Sequence, residues 1–423
     1  MFQRRPLVSA FPMSDDWAAA QVPRAVTGVA RASMTSDPSQ IKIQTNVLAS
    51  VYFDVWERTA MISRACSCGF FAAVVLCMGN MVANAQAASA RPLEIYFIDV
   101  EGGAATLLVT PDRESILIDS GWPGKEDRDP KRVVHVLKDL AGCDRLDHLV
   151  TTHWHMDHFG GVAGLARLVT IAHFWDRGLP EDADARPDFP DGPKPADPLG
   201  IAYRAASKGK RKALRAGDTL PLSGLKALVL ASGAQVIDST SSRRSGEATP
   251  AAAANSLCET APADMPVDPS DNARSLAILF SLGKFQFFDA GDLTWNVEKR
   301  LVCPSDLIGP VDLYQVTHHG MDISNHPTLV QTIAPTVAIM NNGPRKGGAP
   351  ATVKRLRAIP SIQAAYQLHR NAATSDDDNT DPSLIANKGS SEGEFIRVRV
   401  VPDGSKFTVQ IGERGPERTF ESK

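Results

Sequence analysis

The sequence predicts an α/β fold in which two sheets are each covered by helices, an αββα four-layer sandwich. Apolar, strand-like runs alternate with helical periodicities over 93–175, and the same alternation returns over 275–369. A hairpin is predicted at 395–411, around the turn Asp403-Gly404. Because no segment repeats at a fixed period, the pattern favours one layered domain, at 91–423.

The first half begins with a predicted meander of three strands, with Pro111-Asp112 at its second turn. Asp129 is expected to cap a helix that has Pro130 at its first position. A second helix should follow the glycines at 160–161, with its apolar residues at helical spacing. The strands predicted in this half are 93–100, 105–110, 115–119, 146–151 and 169–175.

Between the halves, residues 180–200 are rich in Pro, Asp and Gly and are predicted to be a loop. The basic segment 204–215 is expected to be the solvated face of a helix, and contact with an anionic substrate is the alternative. The segment 234–270 holds many Ala, Ser, Thr and Pro residues and is predicted to be a flexible insertion.

The second half again alternates the two kinds of segment. Helices are predicted at 296–301, 328–333 and 351–358. Strands are predicted at 225–230, 275–280, 285–288, 311–316, 336–340 and 364–369.

The N-terminal region predicts export. Residues 61–87 combine a weakly basic start, the apolar run 70–78 and the small-x-small site Ala85-Gln86-Ala87, as in a secretory signal. The run is too short for an ordinary transmembrane helix, so no stable membrane span is expected after cleavage. Residues 1–60 show no long periodic segment and are interpreted as a disordered or mis-assigned extension. A periplasmic or secreted location follows.

Composition limits the partners and the disulfides. The net charge of −3 implies no strong general attraction to nucleic acid or anionic membranes, although a local basic patch is compatible with it. Cys143, Cys258 and Cys303 would remain after signal cleavage, so at most one disulfide can form among them. The protein is therefore no disulfide scaffold.

Four metal-capable side chains lie within six residues, directly after the predicted strand 146–151. They are His153, His155, Asp157 and His158. Ligands favour the carboxyl ends of strands in α/β folds, and imidazole with carboxylate suits zinc, manganese or iron. The pattern predicts a metal site at this strand end.

More donors follow two later strands: Asp292, and the pair His318-His319. A site for two metals about 3.5–4 Å apart needs a bridging carboxylate, and Asp292, which follows a glycine, is the natural candidate. Together these residues would leave open positions for water.

These motifs resemble the metallo-β-lactamase superfamily, in the order His153-x-His155-x-Asp157-His158, Gly291-Asp292 and His319. Asp119-Ser120-Gly121 matches the early aspartate turn of that superfamily. Finer features look like the soluble metal-dependent domain of ComEC-type DNA-internalisation competence proteins, and the resemblance covers roughly 93–345. These features are 97–103, Asn272-x-x-Ser275-Leu276 and Thr317-His318-His319-Gly320.

The resemblance implies a metallo-β-lactamase-like αββα sandwich and assigns roles to the donors. His153, His155 and the residue at the third-histidine position would hold one metal, and a metal-bound hydroxide would be the nucleophile. Asp292 would bridge to a second metal held by Asp157, His158 and His319. Asp157 would also orient the nucleophile. His318 would line the site or protonate a leaving group. The resemblance leaves open whether His318 or His319 is the metal ligand.

One position departs from the lactamase pattern, because Asp271-Asn272 stands where those enzymes have a third histidine. Asp271 is the candidate ligand and Asn272 the alternative, unless Asn272 only caps a turn. Either residue makes the site richer in oxygen, which shifts preference from zinc toward manganese. The expected cofactors are two divalent ions, zinc first and manganese second.

The sequence predicts that the protein is an exported metal-dependent hydrolase that cleaves a phosphodiester. The substrate would be an anionic small molecule or polymer, and nucleic acid is one candidate. Hydrolysis of an ester, thioester or β-lactam is the first alternative. The second is a metal-holding module without turnover, which would serve DNA uptake or envelope assembly. The oligomeric state stays open.

Overall fold

A computed structural model describes residues 91–179, 192–194, 196–238, 253–389 and 393–423. The predicted extension 1–60 and export segment 61–87 lie outside the described residues, and so does 239–252 of the predicted insertion. Within the described ranges, no helix combines the length and apolar character that crossing a bilayer requires.

The first sheet combines the N-terminal meander, the strands around the histidine motif and the C-terminal hairpin. Its strands are β1 (Leu93–Phe97), β2 (Thr106–Val109), β3 (Ser115–Ile118), β4 (Leu146–Thr151), β5 (Ile171–Asp176), β6 (Arg211–Ala213), β17 (Ile396–Val400), β18 (Lys406–Ile411) and β19 (Arg418–Glu421). Their order is β19-β18-β17-β1-β2-β3-β4-β5-β6. Pairing is antiparallel from β19 to β3 and parallel from β3 to β6.

The second sheet contains the strands of the second half. They are β7 (Lys226–Ser232), β8 (Gln235–Val236), β10 (Ala277–Leu282), β11 (Phe285–Asp289), β13 (Leu313–Gln315), β14 (Val337–Met340), β15 (Ala364–His369) and β16 (Ile385–Asn387), in the order β16-β15-β14-β13-β11-β10-β7-β8. Strands β11, β13, β14, β15 and β16 run parallel. Two short strands, β9 (Ala253–Ala254) and β12 (Ser305–Asp306), pair separately.

Helices cover the outer face of each sheet. Those of the first half are Arg128–His135, Met156–Phe159, Val162–Leu168 and Pro198–Ser207, and those of the second half are Trp295–Arg300, Pro327–Ile333 and Pro350–Arg357. A π-helical turn, Val136–Leu140, continues the first of them.

Three buried clusters separate the layers. Alternate residues of β1 point inward. The ring centroid of Phe97 lies 5.9 Å from that of Phe287 on the second sheet. On the outer face of the first sheet, Tyr96 packs in a cluster with Leu165 of a covering helix. On the outer face of the second sheet, Phe288 and residues of its helices form the third cluster. The predicted αββα sandwich is confirmed.

The register of the central strands brings several chain turns to one edge. Ile118 of β3 lies opposite Val150 of β4, so Asp119 and Thr152 meet just beyond the strands. Strands β11, β13 and β14 run parallel in the second sheet, and each is followed by a polar turn. The site is built at these carboxyl ends.

Two local predictions are wrong. Asp129 does not cap its helix: Asp127 stands at the N-cap, and Asp129 is buried inside the first turn, where it accepts the Trp122 N–H at 2.8 Å. The segment 204–215 is not one helical face, because the helix Pro198–Ser207 ends and β6 follows. Arg211 of β6 donates to the buried Asp176 of β5 at 2.7 Å. Because a buried carboxylate needs a partner, this ion pair holds the segment against β5.

The described part of the predicted insertion, 253–270, contacts the second sheet's helices. Cys258 forms a disulfide with Cys303, and Met265 N–H donates to Asn296 Oδ1 at 3.0 Å. Cys143 is a free, buried thiol. The flexibility of this insertion stays a prediction.

Candidate metal centre

Four buried residues from three chain turns converge at the strand ends. Asp157 and His158 follow β4, Asp292 follows β11 and His319 follows β13. One ligand atom from each of the four lies within 4.8 Å of all the others. We call Asp157, His158, Asp292 and His319 the central cluster.

The shortest distances in the central cluster join imidazole nitrogens to carboxylate oxygens. His158 Nε2 lies 3.3 Å from Asp157 Oδ2 and 3.2 Å from Asp292 Oδ2. His319 Nε2 lies 3.2 Å from Asp157 Oδ2 and 3.3 Å from Asp292 Oδ2. The two Nε2 atoms are 3.2 Å apart. Both rings therefore point at the same two carboxylates.

Three further predicted histidines lie close to the central cluster. His153 Nε2 is 3.9 Å and His318 Nε2 is 3.5 Å from Asp292 Oδ2. The His155 ring centroid lies 4.7 Å from that of His153. The structure therefore places His153 and His318 beside the predicted bridging residue, with the His155 ring next to His153.

The charges of the carboxylates suit cation binding. Burial raises the pKa of Asp292, but the neighbouring histidines His158, His319 and His318 outweigh burial and hold that pKa well below its usual range. In Asp157 burial acts in the same way and is again outweighed, first by His158, so its pKa is also low. Both side chains are carboxylates at neutral pH.

His153 and His318 are neutral. Burial, and then the nearby His158, lowers the pKa of His153 well below its usual value. Burial lowers the pKa of His318 to about 4. In this state His318 offers a lone pair at Nε2, because its Nδ1–H donates to Ser324 Oγ at 3.1 Å and that hydroxyl donates to Leu293 O. A role as proton donor would require His318 to gain a proton first.

Asp119 positions His158. Its Oδ2 accepts from His158 Nδ1 at 2.7 Å and from Thr152 Oγ1 at 2.7 Å, while its Oδ1 accepts the Thr152 N–H at 2.8 Å. The Nδ1 proton of His158 is thereby fixed and its Nε2 is directed into the cluster. Burial lowers the pKa of His158, but Asp292, Asp157 and Asp119 raise it well above its usual value.

A strained turn presents the histidine pair. His318 and His319 have φ of 55° and 52°, in the left-handed region that costs energy for residues with a Cβ. The turn is held by the His318 N–H, which donates to Gly291 O at 3.0 Å. Both neighbouring residues of this turn therefore reach Asp292, with His318 Nε2 3.5 Å and His319 Nε2 3.3 Å from its Oδ2.

Asp271 lies outside the central cluster, which differs from its expected role as a ligand. Its buried carboxylate pairs with Arg177 and accepts the Trp154 N–H at 2.7 Å. Asn272 faces the site instead, with Nδ2 3.3 Å from His318 Nε2. The geometry supports Asn272, and not Asp271, at the third-histidine position, because the charge of Asp271 is already used by Arg177.

Lys346 was not singled out by the sequence, yet its ammonium contacts Asp157 Oδ2. It follows β14 in a glycine-rich turn, 189 residues from its partner. The only local signal is the run of turn residues after a parallel strand, which does not identify the side chain that turns inward.

The residues present fit a divalent cation. Among the described residues, the buried His153 Nε2 has no hydrogen-bond partner, although buried nitrogens are normally paired. Oxygen and nitrogen atoms of the central cluster lie within 4.8 Å of one another, and both carboxylates are ionised. His158, whose pKa is raised, would release a proton when a cation binds. His153 Nε2 and the central cluster are therefore the donor atoms that a cation would satisfy.

Residues 98–232 match the family model described as the metallo-beta-lactamase superfamily. A search of curated proteins finds no match.

Several solved structures are similar to this chain at low identity. The metallo-beta-lactamase fold protein YhfI from Bacillus subtilis is 12% identical, with a TM-score of 0.38, over 65% of this chain and 95% of that one. CmlA, a diiron beta-hydroxylase from Streptomyces venezuelae, is 16% identical, with a TM-score of 0.33, over 60% of this chain and 45% of that one. The subclass B3 metallo-beta-lactamase MEM-A1, from a soil metagenome library, is 14% identical, with a TM-score of 0.29, over 66% and 77%.

At these identities and TM-scores, the likenesses say nothing about substrate or metal. The family match covers the early aspartate turn and the histidine motif, and the observed layers have the αββα order that this fold requires. Residues 98–232 are therefore similar to the metallo-β-lactamase superfamily, and this stretch includes the histidine motif.

Proposed function

We propose that this protein is an exported, metal-dependent hydrolase that uses a binuclear site to cleave phosphodiesters. The observation that carries the proposal is the central cluster, in which two buried carboxylates share two imidazole nitrogens at 3.2–3.3 Å. Such a set of donors is costly to bury unless a cation compensates the charge.

Two cations account for the donors better than one. Asp157, His158 and His319 would hold one ion, and His153, His155 and His318 would approach the other, with Asp292 between them. His318 Nε2 would be the donor nearest the third-histidine position, where Asn272 Nδ2 lies 3.3 Å from it. Neutral imidazoles favour zinc, and the amide and carboxylates keep manganese as the alternative.

Bound cations would lower the pKa of a water and stabilise the attacking and leaving oxygens of the substrate. The chain's own residues prepare this chemistry by holding the donors rigidly. Asp119 holds Nδ1 of His158, and the Asn341 carbonyl oxygen lies 3.3 Å from Nδ1 of His319. Asp157 is placed to orient a nucleophile because its carboxylate lies between both rings.

Two features support a phosphodiester as the substrate. Paired cations suit a reaction in which charge develops on two oxygens. The motifs that resemble the ComEC-type domain all lie against the cluster: Gly103 packs on Asp157, Asn272 on His318, and 317–320 is the histidine turn. We therefore place the protein near those domains in function.

Export is supported by the predicted signal at 61–87 and by the disulfide between Cys258 and Cys303. Disulfides persist mainly in oxidising compartments. N-terminal sequencing of the protein recovered from the periplasm or medium tests this; a protein retained in the cytosol with its N-terminus intact would refute it.

Assays with the purified protein test the activity. Bis-p-nitrophenyl phosphate, nitrocefin and a thioester would each be offered with zinc and with manganese. We expect turnover of the phosphodiester, and its loss in Asp292→Ala but not in Asp139→Asn, an exposed carboxylate on the covering helices. Turnover of nitrocefin or the thioester alone would establish the alternative hydrolases, and no turnover despite bound metal would favour a metal-holding module.

A further inference from the structure

Lys346 brings a positive charge to the mouth of the central cluster. Its ammonium contacts Asp157 Oδ2, and its side chain is 36% exposed whereas that of Asp157 is 7% exposed. The lysine therefore lies between the buried donors and the solvent. A substrate that approaches the cluster from this side meets the ammonium.

The backbone around Lys346 is fixed by close contacts. Gly343 N–H donates to Lys346 O at 2.8 Å, and Gly348 N–H donates to His319 O at 2.8 Å. A Cβ on Gly343 would lie 2.7 Å from the Glu101 carbonyl, so the turn packs against 101–103 without spare room. The turn that carries Lys346 is thus hydrogen-bonded to the turn that presents His319.

Polar and aromatic side chains hold the turn from its other sides. Asn371 Nδ2 donates to Gly347 O at 2.9 Å and to Gly348 O at 3.2 Å. The Lys346 Nζ lies 5.1 Å from the centre of the Trp122 ring, within the range of a cation–π contact. The ammonium has one carboxylate and one aromatic face as neighbours.

The charge of Lys346 has a second use once a cation is present. A cation held by Asp157 would replace the ammonium as the counter-charge of that carboxylate, and like charges at short range repel. The partly exposed ammonium would then turn toward the open side, where an anionic group can replace Asp157 as its partner.

From this arrangement we infer that Lys346 binds the anionic group of the substrate and so selects phosphoryl compounds over neutral esters. The inference rests on the proposed function and names the recognition residue of the same site. Lys346 touches the substrate and is not a metal ligand, since an ammonium has no lone pair to offer.

Binding of inorganic phosphate to the metal-loaded protein, measured by calorimetry, tests the inference without turnover. We expect K346M to bind phosphate about tenfold more weakly than wild type, and K346R, which keeps the charge, to bind more tightly than K346M. The control K406M removes an exposed ammonium that pairs with Glu421, and should bind phosphate like wild type. Metal affinity, measured by chelator competition, should be equal or higher in K346M, because a competing cation is gone.

Three results would overturn the inference: equal phosphate affinity in K346M and wild type, loss of metal from K346M, or no phosphate binding by the wild type. The proposed function fails differently. A wild type that binds phosphate through Lys346 but hydrolyses no phosphodiester would remove the enzyme proposal and leave the role of Lys346 intact.

Discussion

At the residue scale, the site depends on partners that hold the donors. Asp119 is buried, and its two oxygens accept from the imidazole of His158 and from both donors of Thr152. Because Asp119 is itself left-handed, with φ of 59°, the turn accepts strain to place this carboxylate. Losing the carboxylate should therefore affect metal binding without touching a ligand.

Asp119→Asn tests that role. An amide has one acceptor oxygen where the carboxylate has two, so at least one donor of His158 or Thr152 would face an NH2 group and the hold on the His158 ring would weaken. We expect metal affinity to fall about 10–100-fold, measured by chelator competition. Asp139→Asn, which changes an exposed carboxylate paired with His135 at 2.7 Å, is the control. Equal affinities in the two variants would show that Asp119 does not position His158.

Glu298 is a buried carboxyl group outside the central cluster. Burial raises its pKa to about 7, and its Oε2 accepts the His326 N–H at 2.8 Å. The folded state therefore keeps a proton that the unfolded chain loses near pH 4.5, and the stability contributed by this group declines as pH rises from about 4.5 to 7.

Glu298→Gln should remove this dependence. In metal-free protein, we expect the free energy of unfolding of E298Q to increase relative to wild type by up to about 3 kcal/mol between pH 4.5 and pH 7. Urea unfolding at several pH values measures the free energy of unfolding of each protein. The contributions of the other titrating groups cancel in the difference between E298Q and wild type. Parallel profiles for the two proteins would contradict the raised pKa.

At the scale of elements, turns after parallel strands are packed against one another through glycines. A Cβ on Gly161 would lie 2.0 Å from the carbonyl oxygen of Ser120, the residue after Asp119. Ser120 N–H in turn donates to His158 O at 2.6 Å. The glycine that begins the helix Val162–Leu168 thus sets the distance between the aspartate turn and the histidine motif.

Gly161→Ala should move the two turns apart. We expect a loss of about 1–3 kcal/mol in the free energy of unfolding, as in overpacked sites, together with weaker metal binding. Gly389→Ala is the control, since a Cβ added there would have no atom within 4 Å and the change in stability should stay within about 0.5 kcal/mol. A G161A protein as stable as G389A would show that the turns adjust freely.

The elements also show what local sequence can predict. The sequence predicts strands such as β4 and β15 with their observed bounds, because apolar and β-branched runs are local signals. Strand β19 was missed, since it is a short, polar strand at the sheet edge. Lys346 and the pairing of Asp271 with Arg177 were missed because their contacts join residues 189 and 94 positions apart.

For the whole molecule, two sheets packed face to face carry the site at one edge. The motif after β4 belongs to the first sheet, while Asp292 and the histidine turn belong to the second. Metal binding should therefore connect the sheets and stabilise the folded state. The insertion is connected to the second sheet's helices by the disulfide between Cys258 and Cys303.

Reduction of this disulfide should weaken the whole domain. The bridge spans 45 residues, and closing a loop of that length stabilises a protein by about 4 kcal/mol in the chain-entropy treatment. Urea unfolding with and without reductant measures the loss. The double variant Cys258→Ser/Cys303→Ser should unfold alike in both conditions, and wild-type curves that coincide would show that the bridge does not form in solution.

The central claim is that residues of both sheets jointly hold divalent metal. Metal titration of the purified, chelator-treated protein, followed by calorimetry and by elemental analysis, tests it most directly. We predict two ions per chain for wild type and for Asp139→Asn, and loss of high-affinity binding in Asp292→Asn, which removes the shared charge. Wild-type stoichiometry and affinity in Asp292→Asn would contradict the account.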